Sequence, residues 1–118
     1  MSAAQLADAI RGGRQSAVAA TAQALADVTA RNPALNAFTT VTADRALAEA
    51  AAVDATVAAG RDPGTLAGVP VAVKNLFDLE GVTTRAGAAL RGEAPPAKAD
   101  AFVIARLRAA GAVIIGAT

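Results

Sequence analysis

Leu66-Ala67-Gly68-Val69-Pro70-Val71-Ala72-Val73-Lys74-Asn75 stays apolar until it ends in a lysine and an asparagine. A run apolar on both faces and bounded by polar residues predicts a strand, Gly68 to Asn75, in the middle of a sheet. Strand geometry sends Val69, Val71 and Val73 to one side, and Pro70, Ala72 and Lys74 to the other. Lys74 therefore shares a face with small residues, which leaves room for another segment beside it. An ammonium taken out of water favours its neutral form, and a neutral amine is a base. That makes Lys74 the candidate catalytic residue. The same pattern also fits a lysine whose stem lies on the strand while its head reaches water.

Downstream, Leu79 to Thr84 reads as a turn and a short extended piece, and Gly87 to Pro96 as a loop. Asp100 is placed to cap a helix through Ala110, with Val103, Ile104 and Leu107 apolar, Arg106 and Arg108 near its end and Gly111 at C′. Ala112-Val113-Ile114-Ile115-Gly116 then reads as a second buried strand. Strand, helix and strand predict parallel pairing.

Upstream of the turn Arg61-Asp62-Pro63-Gly64, the chain is alanine-rich and helical. Residues 3–11 predict a helix capped by Ser2 and ended by Gly12-Gly13. Ser16 caps a second, Ala17 to Arg31, stopped by Asn32-Pro33. Leu35, Ala37 and Phe38 make an apolar connection. Thr42 caps a third, Ala43 to Ala59, whose apolar side is Leu47, Ala50, Ala51 and Val57. The fold class is α/β, with a helical part (1–60) followed by a strand–helix–strand part (61–118).

Composition removes whole classes of chemistry. The 118 residues contain no cysteine and no histidine, so thiolate nucleophiles and a Ser-His-Asp triad are excluded within the chain. Net charge is +1 and aromatics are 3%, so neither a basic stripe nor a stacking platform for nucleic acid is present. Asp78 and Glu80 are close enough in sequence to pair, but such carboxylates are more often solvated loop charges. No apolar run approaches the ~20 residues of a membrane span, and the N-terminus lacks the basic and apolar regions of a secretory leader. These features, with the lack of cysteine, fit a cytoplasmic protein.

The lysine stretch, with Gly81-Val82-Thr83-Thr84 and Ala86-Gly87 after it, resembles the lysine motif of the amidase signature enzymes. Asn32-Pro33-Ala34-Leu35-Asn36-Ala37-Phe38 is similar to that family's helix-to-core connection, and Arg106 to Gly116 to its following helix and strand. The resemblance runs in order over almost the whole chain. It implies a mixed β-sheet wrapped by helices, of which residues 1–118 form the N-terminal part of a single domain. It also implies hydrolysis of amide bonds by a Ser–cis-Ser–Lys triad, with Lys74 as the lysine and no cofactor or metal. The triad serines of that family lie in a Gly/Ser-rich segment that these residues do not contain. Ser2 and Ser16 are the only serines here, and neither matches the motif.

The segment Lys74-Asn75-Leu76-Phe77-Asp78-Leu79-Glu80-Gly81-Val82-Thr83-Thr84 resembles the carboxybiuret hydrolase branch in particular. Asn75 stands where most members have aspartate, and Ala88 where serine is usual. The resemblance implies a small linear amide as substrate, and a small helical companion protein or a second copy as partner. The alternatives are the amidotransferase branch, whose amidase subunit draws ammonia from glutamine, and a stand-alone interaction module without catalysis.

Overall fold

A computed structural model describes the whole chain, Met1–Thr118, as α1 (Ala3–Arg11), α2 (Ala17–Leu35), β1 (Thr40–Val41), α3 (Ala43–Ala58), β2 (Pro70–Val73), a 3-10 turn (Ala89–Glu93), α4 (Phe102–Ala109) and β3 (Val113–Ala117). Local chemistry starts the first two helices where the sequence places them. The Ser2 hydroxyl accepts the Gln5 N–H, while the Gln5 side chain accepts the Ser2 N–H, a reciprocal cap. The Ser16 hydroxyl accepts the Ala19 N–H at 3.2 Å. It also donates to Asp54 of α3 at 2.7 Å, and that carboxylate accepts the N–H groups of Ala17 and Val18. Burial alone would raise the Asp54 pKa, but these hydrogen bonds outweigh it and hold the carboxyl below its usual range.

Helix α2 runs past the expected stop, with Pro33 inside its last turn. A proline removes one N–H, but the Asn36 N–H still reaches the Asn32 carbonyl at 2.7 Å. The helix ends where Asn36 turns left-handed, at φ 48°. Asn32 folds the chain back: its side chain accepts the Phe38 N–H at 2.8 Å and donates to the Phe38 carbonyl at 3.3 Å.

Thr42 precedes α3 but does not cap it with its side chain; its hydroxyl donates to the Ile114 carbonyl at 3.0 Å. The apolar side of α3 is centred on buried Ala46 and Ala50, with Val53 and Val57 packed beside them, and Ala51 faces solvent. The cap expected from Asp100 is also absent, and α4 begins after Ala101. Asp100 instead accepts the Glu80 N–H at 2.9 Å and pairs with Arg108 Nε at 2.9 Å. A nearby guanidinium outcompetes the helix amides for that carboxylate.

The sheet order is β1-β3-β2. Parallel pairing of β2 with β3 follows the expected strand–helix–strand, while β1 adds an antiparallel partner on the other side. Within these residues the lysine strand is therefore an edge strand and not the central one. The central strand is β3, whose five residues are all buried. Val71 pairs with Ile114 and Ala72 with Gly116, so Ile115 is an extra residue in the ladder. Such a bulge shifts the alternation of faces. Val113 and Ile115 pack with Ile10, Ala17, Ala46 and Ala50, whereas Ile114 and Ala117 pack with Val73, Leu79 and Ile104.

The turn before β2 closes tightly on the end of α4. The Leu66 N–H donates to the Ala110 carbonyl and the Gly68 N–H to the Gly111 carbonyl, both at 2.8 Å. Gly64 (φ 102°) and Gly111 (φ 93°) allow that approach, since a Cβ on either would strike backbone carbonyl of the opposite segment. No helix is long and apolar enough to cross a membrane.

Candidate active site at the carboxyl ends of the parallel strands

Lys74 leaves β2 beside the carboxyl end of β3, the position at which parallel α/β sheets place their sites. Its neighbours in sequence are both tied to the last residue of the chain. The Thr118 N–H donates to the Val73 carbonyl at 2.8 Å, and the Asn75 N–H donates to the Thr118 carbonyl at 2.7 Å. The backbone under Lys74 is thus fixed on both sides. Its side chain is exposed, as is Ala72 on the same strand. Residues 1–118 by themselves do not bury Lys74: it stands at the end of what is, within these residues, an edge strand. The small residues do leave space above it, and the amine stands in solvent.

Asn75, noted in the sequence only as a departure, is 4% exposed, and each of its polar atoms has a hydrogen-bond partner. Its side chain donates to the Thr39 hydroxyl at 3.1 Å and accepts the Arg85 N–H at 3.0 Å. Its carbonyl accepts the Ala86 N–H at 2.8 Å. Ala86 holds φ 48°, unfavourable for a residue with a Cβ, and Gly87 follows at φ 77°. The Ala-Gly step of the motif is thereby held next to the lysine turn. The signal for Asn75 was available in the sequence, a polar residue closing an apolar run, but its partners are distant in sequence.

Other residues singled out from the sequence serve the frame. Thr84 donates to the Asp78 carboxylate and Thr83 to the Ala94 carbonyl, so both threonines tie the loop. Asp78 and Glu80 do not pair with one another; Glu80 lies 3.8 Å from Arg45. Ser2 and Ser16 are engaged in helix caps. Ala88 is exposed.

Sequence reading missed a charge cluster between α3 and α4. Arg108 pairs with Glu49 and Asp100, and Arg45 lies 3.1 Å from Glu49 and 3.7 Å from Asp100. Burial, with Arg45 nearby, lowers the Arg108 pKa to about 10, which leaves it protonated at neutral pH between its two carboxylates. The cluster joins α3 to α4 and the loop between β2 and α4.

The sequence pattern of the Amidase family matches residues 19–118. The chain belongs to the amidase family. It is 48% identical over 116 residues to AtzE, the 1-carboxybiuret hydrolase component of Pseudomonas sp. (strain ADP), covering 98% of this chain and 25% of that protein. It is 42% identical over 118 residues to a component of the glutamyl-tRNA(Gln) amidotransferase of Rhodopirellula baltica, covering 99% of this chain and 23% of that protein. A solved structure described as a vestigial protein complex that reveals the evolutionary origins of an s-triazine catabolic enzyme superposes with a TM-score of 0.96 at 48% identity, over 99% of this chain and 26% of that one. The chain spans about a quarter of the length of the curated relatives it matches. The α/β architecture here is that of the corresponding part of an amidase signature enzyme.

Proposed function

We propose that the chain supplies the lysine of a Ser–cis-Ser–Lys site that hydrolyses a C–N bond of a small linear amide, of which a carboxylated biuret is one form. In this reading residues 1–118 act as the N-terminal portion of a single amidase domain, and the two serines belong to polypeptide beyond these residues. The observation that carries it is the placement of Lys74: an accessible amine on a backbone pinned by Thr118, at the carboxyl ends of two parallel strands. Lys74 would take the proton of the nucleophilic serine through the bridging serine as the serine oxygen attacks the amide carbonyl. The same proton then goes to the departing amine, and water releases the acyl group. Similarity to a glutamyl-tRNA(Gln) amidotransferase component favours a second reading, in which the same chemistry releases ammonia from glutamine.

The 118-residue chain alone is expected to turn over neither biuret-like amides nor glutamine, because nucleophile and base are not both present. In the polypeptide that joins it to the serine segment, Lys74→Ala lowers kcat by ~10²–10⁴-fold or more. Lys74→Arg fails equally, since a guanidinium does not release its proton. In the 118-residue chain, where the side chain is exposed, both substitutions leave stability within ~0.5 kcal/mol. Turnover by the 118-residue chain that is lost with Lys74→Ala, or near-normal activity of Lys74→Arg, overturns the proposal.

A further inference from the structure

We propose that Asn75 is a positioning residue, which holds Lys74 against the Arg85–Ala86 backbone through its side-chain amide. The inference rests on the reading of Lys74 given above. Four polar groups of Asn75 are engaged with partners on three separate segments: Thr39 before β1, Arg85 and Ala86 in the loop, and Thr118 after β3. The residue is buried while its neighbours on both sides, Lys74 and Leu76, are exposed. A buried amide with every group satisfied rigidifies the segment around it. The turn that follows Lys74 is otherwise closed by one bond, from the Phe77 N–H to the Lys74 carbonyl at 3.1 Å. Without the side-chain contacts, the lysine turn and the Ala-Gly step lose the link that fixes their separation.

The chemistry of the two side-chain bonds predicts which substitutions are tolerated. The Oδ1 contact needs an acceptor for the Arg85 N–H. The contact with Thr39 works in either direction, because that hydroxyl now donates to the Ala117 carbonyl at 3.2 Å, which also accepts the Thr39 N–H at 2.8 Å. Rotating the hydroxyl would let it donate to a carboxylate at position 75 and leave no carbonyl unpaired. Aspartate therefore preserves both contacts, whereas leucine of similar size preserves neither.

The test is a variant series in the active polypeptide that carries this chain, with amide exchange measured in the same polypeptide. Asn75→Leu is expected to lower kcat ~10–100-fold with little change in KM, the size of effect that a displaced catalytic group produces. Asn75→Asp is expected to restore kcat to within a few-fold. In exchange measurements the Arg85 amide loses protection in Asn75→Leu and keeps it in Asn75→Asp. If Asn75→Leu does not fold, Thr39→Val decides: a lowered kcat at unchanged KM supports the proposal, and wild-type kcat overturns it. Wild-type kcat in Asn75→Leu also overturns it, as does failure of Asn75→Asp to restore kcat while the Arg85 amide stays protected. Loss of activity in Lys74→Ala beside full activity in Asn75→Leu removes only this inference. Full activity in Lys74→Ala removes the functional reading itself.

Discussion

Residues 1–60 fold as three helices and a two-residue strand, whereas residues 75–101 contain a 3-10 turn and a single bridge between Glu80 and Ala97. In the first region, side chains a few residues apart start the helices, as Ser2 does with Gln5 and Ser16 with Ala19. In the second, the frame depends on pairs far apart in sequence: Asn75 with Thr39 and Arg85, Arg45 with the Glu80 carbonyl, Asp100 with the Glu80 N–H. The contrast shows two ways to satisfy a backbone. A helix does so locally and tolerates change at exposed positions; a loop without a ladder needs particular polar side chains. The candidate site lies on the second kind of backbone, next to β3, which is buried by both regions.

The largest expected effect comes from the seam between β2's approach and the end of α4. Gly111→Ala must place a Cβ at φ 93° against the Pro63 carbonyl. Backbone strain of about 1–2 kcal/mol plus displacement of the carbonyl should bring the loss to about 3 kcal/mol. Urea denaturation that shows a loss below about 1 kcal/mol would mean the seam yields, and that the contrast between rigid and adaptable backbone is drawn in the wrong place.

Next in size is the charge cluster that ties the loop to the helices. Arg108→Ala leaves Glu49 and Asp100 without their shared cation, with only Arg45 nearby. A fully buried pair broken this way costs about 3–5 kcal/mol; with the Arg108 side chain 17% exposed, about 2 kcal/mol is expected. Hydrogen exchange should quicken first at the Glu80 amide, which Asp100 holds. Equal protection there in wild type and variant would show that the loop does not depend on the cluster.

The smallest effect sharpens the comparison from the helical side. Asp54→Ala removes the carboxylate that accepts the first amides of α2, a loss of about 1 kcal/mol. Because the folded-state pKa of Asp54 is lowered, its contribution is present above the ordinary aspartate value of about 3.9 and fades as pH falls through the folded value. The stability gap between wild type and Asp54→Ala should therefore be full at neutral pH and close in acid. A gap that stays constant down to pH 2 would assign the effect to lost packing instead of charge.

Much of the helical half was legible because its signals are local. Caps at Ser2 and Ser16 act over one turn of chain, as does the left-handed glycine that ends α4 in the other half. Parallel pairing of β2 and β3 was legible as well, since two apolar runs joined by a helix leave few alternatives. What failed were readings in which a distant partner competes with a local one. Asp100 has the chemistry of a cap but binds Arg108 and the Glu80 amide, and Thr42 reaches Ile114. Asn32-Pro33 has the chemistry of a stop, yet the helix continues to Leu35 and Asn32 clasps Phe38.

The sequence by itself determined the helical start, the two apolar strands, the family and Lys74 as the candidate base. Periodicity, caps and a dense motif survive without any knowledge of what lies across the fold. Within residues 1–118, tertiary structure alone decided that β3 lies between β1 and β2, that the Lys74 side chain is exposed, and that Asn75 joins three segments. Each of these depends on which segments meet. A residue's burial and hydrogen-bond partners belong to the assembled surface and not to its immediate neighbours in the chain.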